Sequence, residues 1–160
     1  MRARYLALLL MAAVAAGCGP TVDLRQGIEM VDVSTGLADL GIINGQNKLV
    51  PSISFKLKNL SDQKLIALQV NAVFHKVTDP KNEWGSGYVI VAQSEGLAPG
   101  ATSKEFTIRS PLGYTGLQPR ADMLTHDQFI DSTVDLAAKY ASAQWVRIAE
   151  YPIERKLIAQ

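Results

Sequence analysis

The residues of this 160-residue chain best equipped for chemistry are two histidines, one cysteine and 15 carboxylates. A metal site needs several ligands converging at short spacing, commonly i, i+2 or i+3/i+4. His75 and His126 each lack a second histidine or a cysteine nearby. His75 falls among the polar positions of a strand and reads as a surface residue. His126-Asp127 has Asp122 and Asp131 close in sequence, and a helix start capped by Thr125 or Asp127 accounts for that grouping. For nucleophilic hydrolysis the nearest pattern is Gly85-Ser86-Gly87, which lacks the Gly-x-Ser-x-Gly spacing of a nucleophile elbow. Asp131 and Asp135, if in a strand, share a solvated face and make no acid–base pair. The expectation is therefore no catalytic residue, no metal site and no cofactor.

The cysteine is a different matter. Arg2 and Arg4 precede an apolar run from Tyr5 to Ala16, and Gly17 stands directly before Cys18. A charged start, a short apolar stretch and small residues at its end make a secretory signal. The run of about a dozen residues is too short for a spanning helix, which needs roughly 20. Ala15-Ala16-Gly17-Cys18 resembles the lipobox of bacterial lipoproteins, although Ala15 stands where leucine is commonest. The resemblance implies cleavage before Cys18, lipid attached to its thiol and acylation of the new amine, by palmitate or a similar chain. Two or three acyl chains anchor stably where one binds marginally. Gly19 in place of aspartate then implies sorting to the outer membrane, facing the periplasm. Cys18 is the sole cysteine, so no intramolecular disulfide is possible, and acylation removes a lone thiol from an oxidising compartment.

The expected domains are a signal at 1–17, a lipidated start and short tether at 18–24, and one globular domain at 25–160. A chain of this size buries enough surface to fold without disulfides. The 16 Lys and Arg residues nearly balance 15 Asp and Glu, and Arg2 and Arg4 leave with the signal. Charges are scattered singly, which argues against a nucleic-acid partner.

These features must be carried by strands. Ile53-Ser54-Phe55-Lys56-Leu57-Lys58 alternates apolar and polar residues, as an antiparallel strand with one buried face requires. Asn59 to Gln63 supplies a turn. Leu68, Val70, Ala72 and Phe74 mark a second strand, in which Val73 interrupts the polar side and predicts a partly covered outer face. Tyr88–Ala92 and Thr102–Arg109 follow, and Ile28–Val33 is a weaker candidate upstream. Gly41 to Asn47 reads as a polar loop containing Asn44-Gly45. The stretch 129–140 fits either a helix or a strand. The strand is favoured because Trp145-Val146-Arg147-Ile148 follows after a short connection and completes a hairpin, with Pro152 at its edge. Seven strand candidates predict an all-β, immunoglobulin-like antiparallel sandwich.

Over roughly residues 50–110, Phe55-Lys56-Leu57 with Asn59, then Val70 to Phe74, then Leu97-Ala98-Pro99-Gly100-Ala101-Thr102, resemble the bacterial Ig-like domains of FxLYD type. Phe74-His75-Lys76 departs from the aromatic-Asp often found there. The resemblance implies binding or assembly, not catalysis.

The segment Ser110 to Arg120 is long and rich in glycine and proline, so it is either a crossover between sheets or a binding loop. Tyr114 and Arg120 are of the types enriched at binding hot spots, and Trp84 is a further candidate contact. On that reading, removing Tyr114 and Arg120 weakens partner capture at little cost in stability. Trp84 and Trp145 otherwise read as packing residues. The expected function is a non-catalytic, lipid-anchored envelope protein that binds a protein or envelope component through this loop or an exposed sheet edge. The alternatives are a small-molecule or lipid binder and, third, a hydrolase or metal-dependent enzyme.

Overall fold

The structure, a computed structural model, describes residues 22–158. The segment 1–21, with the expected signal, Cys18 and Gly19, lies outside the described residues, as do 159–160. The chain is an all-β antiparallel sandwich of the immunoglobulin-like kind. Its elements are α1 (Leu24–Gly27), β1 (Ile28–Ile43), β2 (Gln46–Asn59), β3 (Leu68–Lys76), β4 (Gly85–Ala92), β5 (Phe106–Arg109), β6 (Tyr114–Gly116), α2 (Arg120–Thr125), β7 (Ser132–Lys139), β8 (Val146–Pro152) and β9 (Leu157–Ile158). One sheet runs β5-β2-β1-β9 with β6 also on β2, and the other runs β4-β3-β7-β8. Every pairing is antiparallel except the short β1–β9 contact. Among the described residues there are nine strands where seven were expected, because β6 and β9 are too short to show a period of two.

The larger correction is at the start. The expected loop at Gly41 to Asn47 is the tip of a long hairpin, and the weak strand at Ile28–Val33 is the first part of the 16-residue β1. Asn44 and Gly45 form its turn with φ of 53° and 78°, the left-handed pair that a two-residue hairpin turn matching strand twist demands. Register shifts at Val31/Ser34 and Asp39/Ile42 break the alternation along β1, which hid the strand in the sequence. At about 3.3 Å per residue, β1 separates its own ends by roughly 45 Å. The domain thus has an N-terminal end and a far end.

Pro51 explains the break in the neighbouring edge. It sits in β2 between two strands and has no N–H to give. Ser52 to Phe55 pair with β5 and Asn47 to Leu49 pair with β6, so β5 and β6 are one edge strand interrupted opposite Pro51. There Ser110 N–H donates to the Pro51 carbonyl at 2.8 Å. A Cβ on Gly113 would collide with the backbone of Leu49 and Val50, which is why glycine ends the interruption.

Alternation along β2, β3 and β7 places Leu49, Ile53, Phe55, Leu57, Leu68, Val70, Ala72, Phe74, Val134, Leu136 and Ala138 in one buried core between the sheets. Residues 132–139 are thus a strand, with Thr133, Asp135, Ala137 and Lys139 turned outward. At the N-terminal end Leu24 is buried in the core and Asp23 caps α1 by accepting from Arg25 N–H at 3.0 Å. The fold therefore begins earlier than the expected boundary at 25. Asn59 is also buried there. Its amide donates to the carbonyls of Gln63 and Leu97 at 2.7 and 2.8 Å and accepts from Ser61 N–H and hydroxyl at 2.9 and 2.7 Å. One side chain thereby holds the β2–β3 turn against the segment that precedes β5.

Candidate binding site

The far end of the sandwich gathers the hairpin tip, the β3–β4 turn, the long connection from β5 to β7 and the β8–β9 turn. Trp84 and Tyr114 meet here, with ring centroids 5.0 Å apart and edge to face. Phe129 stacks on the other side of Tyr114 at 4.2 Å. A cation closes each end of the row: Lys76 Nζ lies 4.9 Å from the Trp84 ring and the Arg155 guanidinium 4.7 Å from Phe129. Asp131 holds Arg155 through two hydrogen bonds of 2.6 and 3.1 Å, and that partner keeps the Asp131 carboxyl below its ordinary pKa. Stacked and edge-on rings with flanking cations are mutually favourable, so five side chains from four segments form one stiff wall.

Tyr114 is the fixed point of this wall. Its hydroxyl donates to the Ile130 carbonyl at 2.6 Å and lies 3.4 Å from Ser132 Oγ. Burial pushes its pKa above the ordinary tyrosine value. A tyrosine beside the crossover that ties its hydroxyl to backbone is a recurring device of immunoglobulin-like sandwiches. Arg120 is not part of the row. It leads α2 and pairs with Asp39 of β1, whose carboxyl also accepts from Gly41 N–H at 2.8 Å and is held below its usual pKa. The expectation that Tyr114 and Arg120 are free contacts, removable at little cost, is therefore corrected. Both tie the connection to the sheets.

Large apolar side chains are among those exposed on this loop and on the neighbouring hairpin. Leu117 is 78% exposed, Leu112 52% and Ile42 70%. They surround a framework clamped by Tyr114, by Arg120 and by Asn47, whose amide donates to the Gln118 carbonyl at 2.8 Å. Their only signal in the sequence was apolar residues standing among glycines and prolines where no strand alternation explains them.

His75 is not a plain surface residue: its side chain is largely covered, with Nδ1 2.9 Å from the Asn82 carbonyl and Nε2 3.6 Å from the Asp135 carboxylate. The helix near His126 precedes it, since α2 ends at Thr125, and His126 Nδ1 accepts from Gln128 N–H at 3.2 Å. Asp135 is bound to Arg147, which also reaches Glu150 at 2.7 Å. Trp145 is exposed, contrary to a packing role, with Lys139 Nζ 5.9 Å from its ring. Gly85-Ser86-Gly87 belongs to β4, and its glycines let that strand press against Ser110 and Ile108. Among the described residues no three His, Cys, Asp or Glu side chains are placed to hold a metal ion, and no helix is long and apolar enough to cross a membrane.

No known protein family matches the chain, and no curated protein matches it. Solved structures show a partial likeness to it. Northeast Structural Genomics Consortium target SoR45 shows a TM-score of 0.45 at 14% identity, over 81% of this chain and 88% of that one. A Bordetella pertussis protein assigned as ApaA shows 0.44 at 16% identity, over 80% and 94%. Neither likeness bears on what this chain does.

Proposed function

We propose that the chain is an envelope lipoprotein, anchored through Cys18 in the outer membrane and facing the periplasm, whose sandwich binds a protein or envelope component without catalysing a reaction. The sequence pattern at Ala15-Ala16-Gly17-Cys18 supports the anchor. The observation that carries the binding role is the far end, where Leu112 and Leu117 are exposed on a connection that Tyr114 and Arg120 tie down, with Ile42 exposed on the β1–β2 hairpin. Preorganised apolar groups on a stiff frame bind without the ordering cost of a mobile loop.

Two measurements test the proposal. Cys18→Ser should abolish fatty-acid labelling and move the protein from the membrane to the soluble fraction; persistent labelling overturns the anchor. A photo-crosslinking residue at Leu117 should capture a defined envelope partner, and Leu112→Asp should suppress that capture. Capture no different from that at Lys104, on the opposite end of the molecule, overturns the binding site.

A further inference from the structure

Strand β4 is an edge that lacks the usual protection. Among the described strands it pairs with β3 alone. Its eight residues, Gly85-Ser86-Gly87-Tyr88-Val89-Ile90-Val91-Ala92, carry no charge and no proline. Exposed edges are ordinarily blunted by lysine, proline, short length or a bulge, because an open row of N–H and C=O groups recruits another strand. Here the one such feature is the register shift that leaves Val91 unpaired against β3. Its apolar side chains are exposed on the outer face and packed, only in part buried, on the inner one. Tyr88 is 66% and Ile90 46% exposed on the outer face, and Val89 and Val91 are only half-buried on the inner one.

We infer that β4 pairs antiparallel with β4 of a second copy of this chain, about a twofold axis at Tyr88. Identical antiparallel strands meet residue for residue under such an axis, the isologous contact of most homodimers. The register about Tyr88 sets Tyr88 against itself, Gly87 against Val89 and Ser86 against Ile90, and keeps Val91 away from the centre. The strand carries no charge, so this register opposes no two like charges, which would destabilise a sheet, and it joins the four-stranded sheets of two copies into one of eight strands. A near-balanced chain of 16 basic and 15 acidic residues adds no long-range repulsion between copies. The contact is small, so association is weak in solution and is favoured where copies are concentrated.

The test uses the full-length protein in its membrane. Cys18 is the sole native cysteine, so Tyr88→Cys supplies one new thiol, and mild oxidation should yield a disulfide-linked dimer. Lys104→Cys and the native chain serve as background. Adding Ile90→Lys, which places a charge on the pairing edge at an exposed position, should reduce the dimer at least about tenfold. A paired substitution, Ser86→Cys with Ile90→Cys, should also link two copies, which covers the case where the aromatic ring itself is needed. Sedimentation of the purified native chain should show concentration-dependent dimers that Ile90→Lys removes. Crosslinking no greater than at Lys104, linkage only to an unrelated protein, or dimers indifferent to Ile90→Lys would each overturn the inference.

Discussion

The hydroxyl of Tyr114 donates to the carbonyl of Ile130 at 2.6 Å, joining the start of the β5–β7 crossover to its end. This bond converts a long, glycine-rich connection into a closed loop lying across the mouth of the sandwich. The rings of Trp84 and Phe129 on either side of Tyr114 leave it little freedom.

Tyr114→Phe keeps the ring contacts and removes the hydroxyl, leaving the Ile130 carbonyl without that donor. The expected loss is about 1 kcal/mol in denaturant unfolding. The same variant has a pH signature. Burial raises the Tyr114 pKa above 10.0, so in alkali the unfolded chain ionises first. The stability that this tyrosine contributes is intact below pH about 10 and declines as pH rises through the folded value. The phenylalanine variant should show a flatter alkaline limb; an identical limb would mean that Tyr114 ionises as freely in the fold as outside it.

Asn59→Ala should be among the most damaging single changes outside the apolar core. It strips partners from the carbonyls of Gln63 and Leu97 and from Ser61 in a buried place. Leaving such groups unpaired costs about 1–3 kcal/mol each where water cannot reach them. Amide exchange at Leu60 to Leu65 should accelerate in the variant along with the fall in melting temperature.

The acid limb of stability should depend on Asp131 and Asp39. Arg155 lowers the pKa of the first, and Arg120 with Gly41 N–H lowers that of the second. A carboxyl with a depressed folded pKa stabilises above its unfolded value and loses that contribution as pH falls through the folded one. Asp131→Asn and Asp39→Asn should each lower stability at neutral pH and flatten its decline below pH about 4. Both carboxylates are partly exposed, so added salt should shrink the differences.

Ala141→Gly should stabilise the protein. Ala141 begins the β7–β8 turn at φ 50°, a left-handed conformation that costs an L-residue roughly 1 kcal/mol or more. Glycine adopts it freely at the price of greater unfolded-state entropy, so a net gain of about 0.5 kcal/mol is expected. Unfolding midpoints of the two chains decide it.

How much of this was legible in the sequence depended on regular alternation. Ile53 to Lys58 and Leu68 to Phe74 announce their strands because each second residue enters the core. Val134, Leu136 and Ala138 do the same, and of the stretch 129–140 residues 132–139 are strand. The hairpin from Ile28 to Asn59 was legible only in pieces, since two bulges reverse which residues face inward and Asn44-Gly45 looks the same in a loop as in a tight turn. Pro51 was readable as an interruption only once its neighbours were known. The candidate site was half visible. Trp84 and Tyr114 could be named, but Phe129, Lys76 and Arg155 reach them from distant segments with no motif to mark them. The composition of the 110–120 segment disclosed its importance without disclosing that its tyrosine faces inward and its leucines outward. In β4 the signal was present in plain form, five consecutive residues from Tyr88 to Ala92 without a charge, and reads as an open edge only when the sheet order is known.

The length of β1 carries a consequence for how an anchored pair would sit. The strand leaves the N-terminal end of the domain and finishes roughly 45 Å away. Antiparallel pairing through β4 turns one domain end for end relative to the other. The two N-termini then stand at opposite ends of the pair, and only a symmetry axis along the membrane normal brings both to the same height above a bilayer. Such a pair would rest lengthwise on two feet, low against the lipid surface. The far end of each domain would lie beside the N-terminal end of its partner, so whatever meets Leu117 must approach along the membrane instead of from above it.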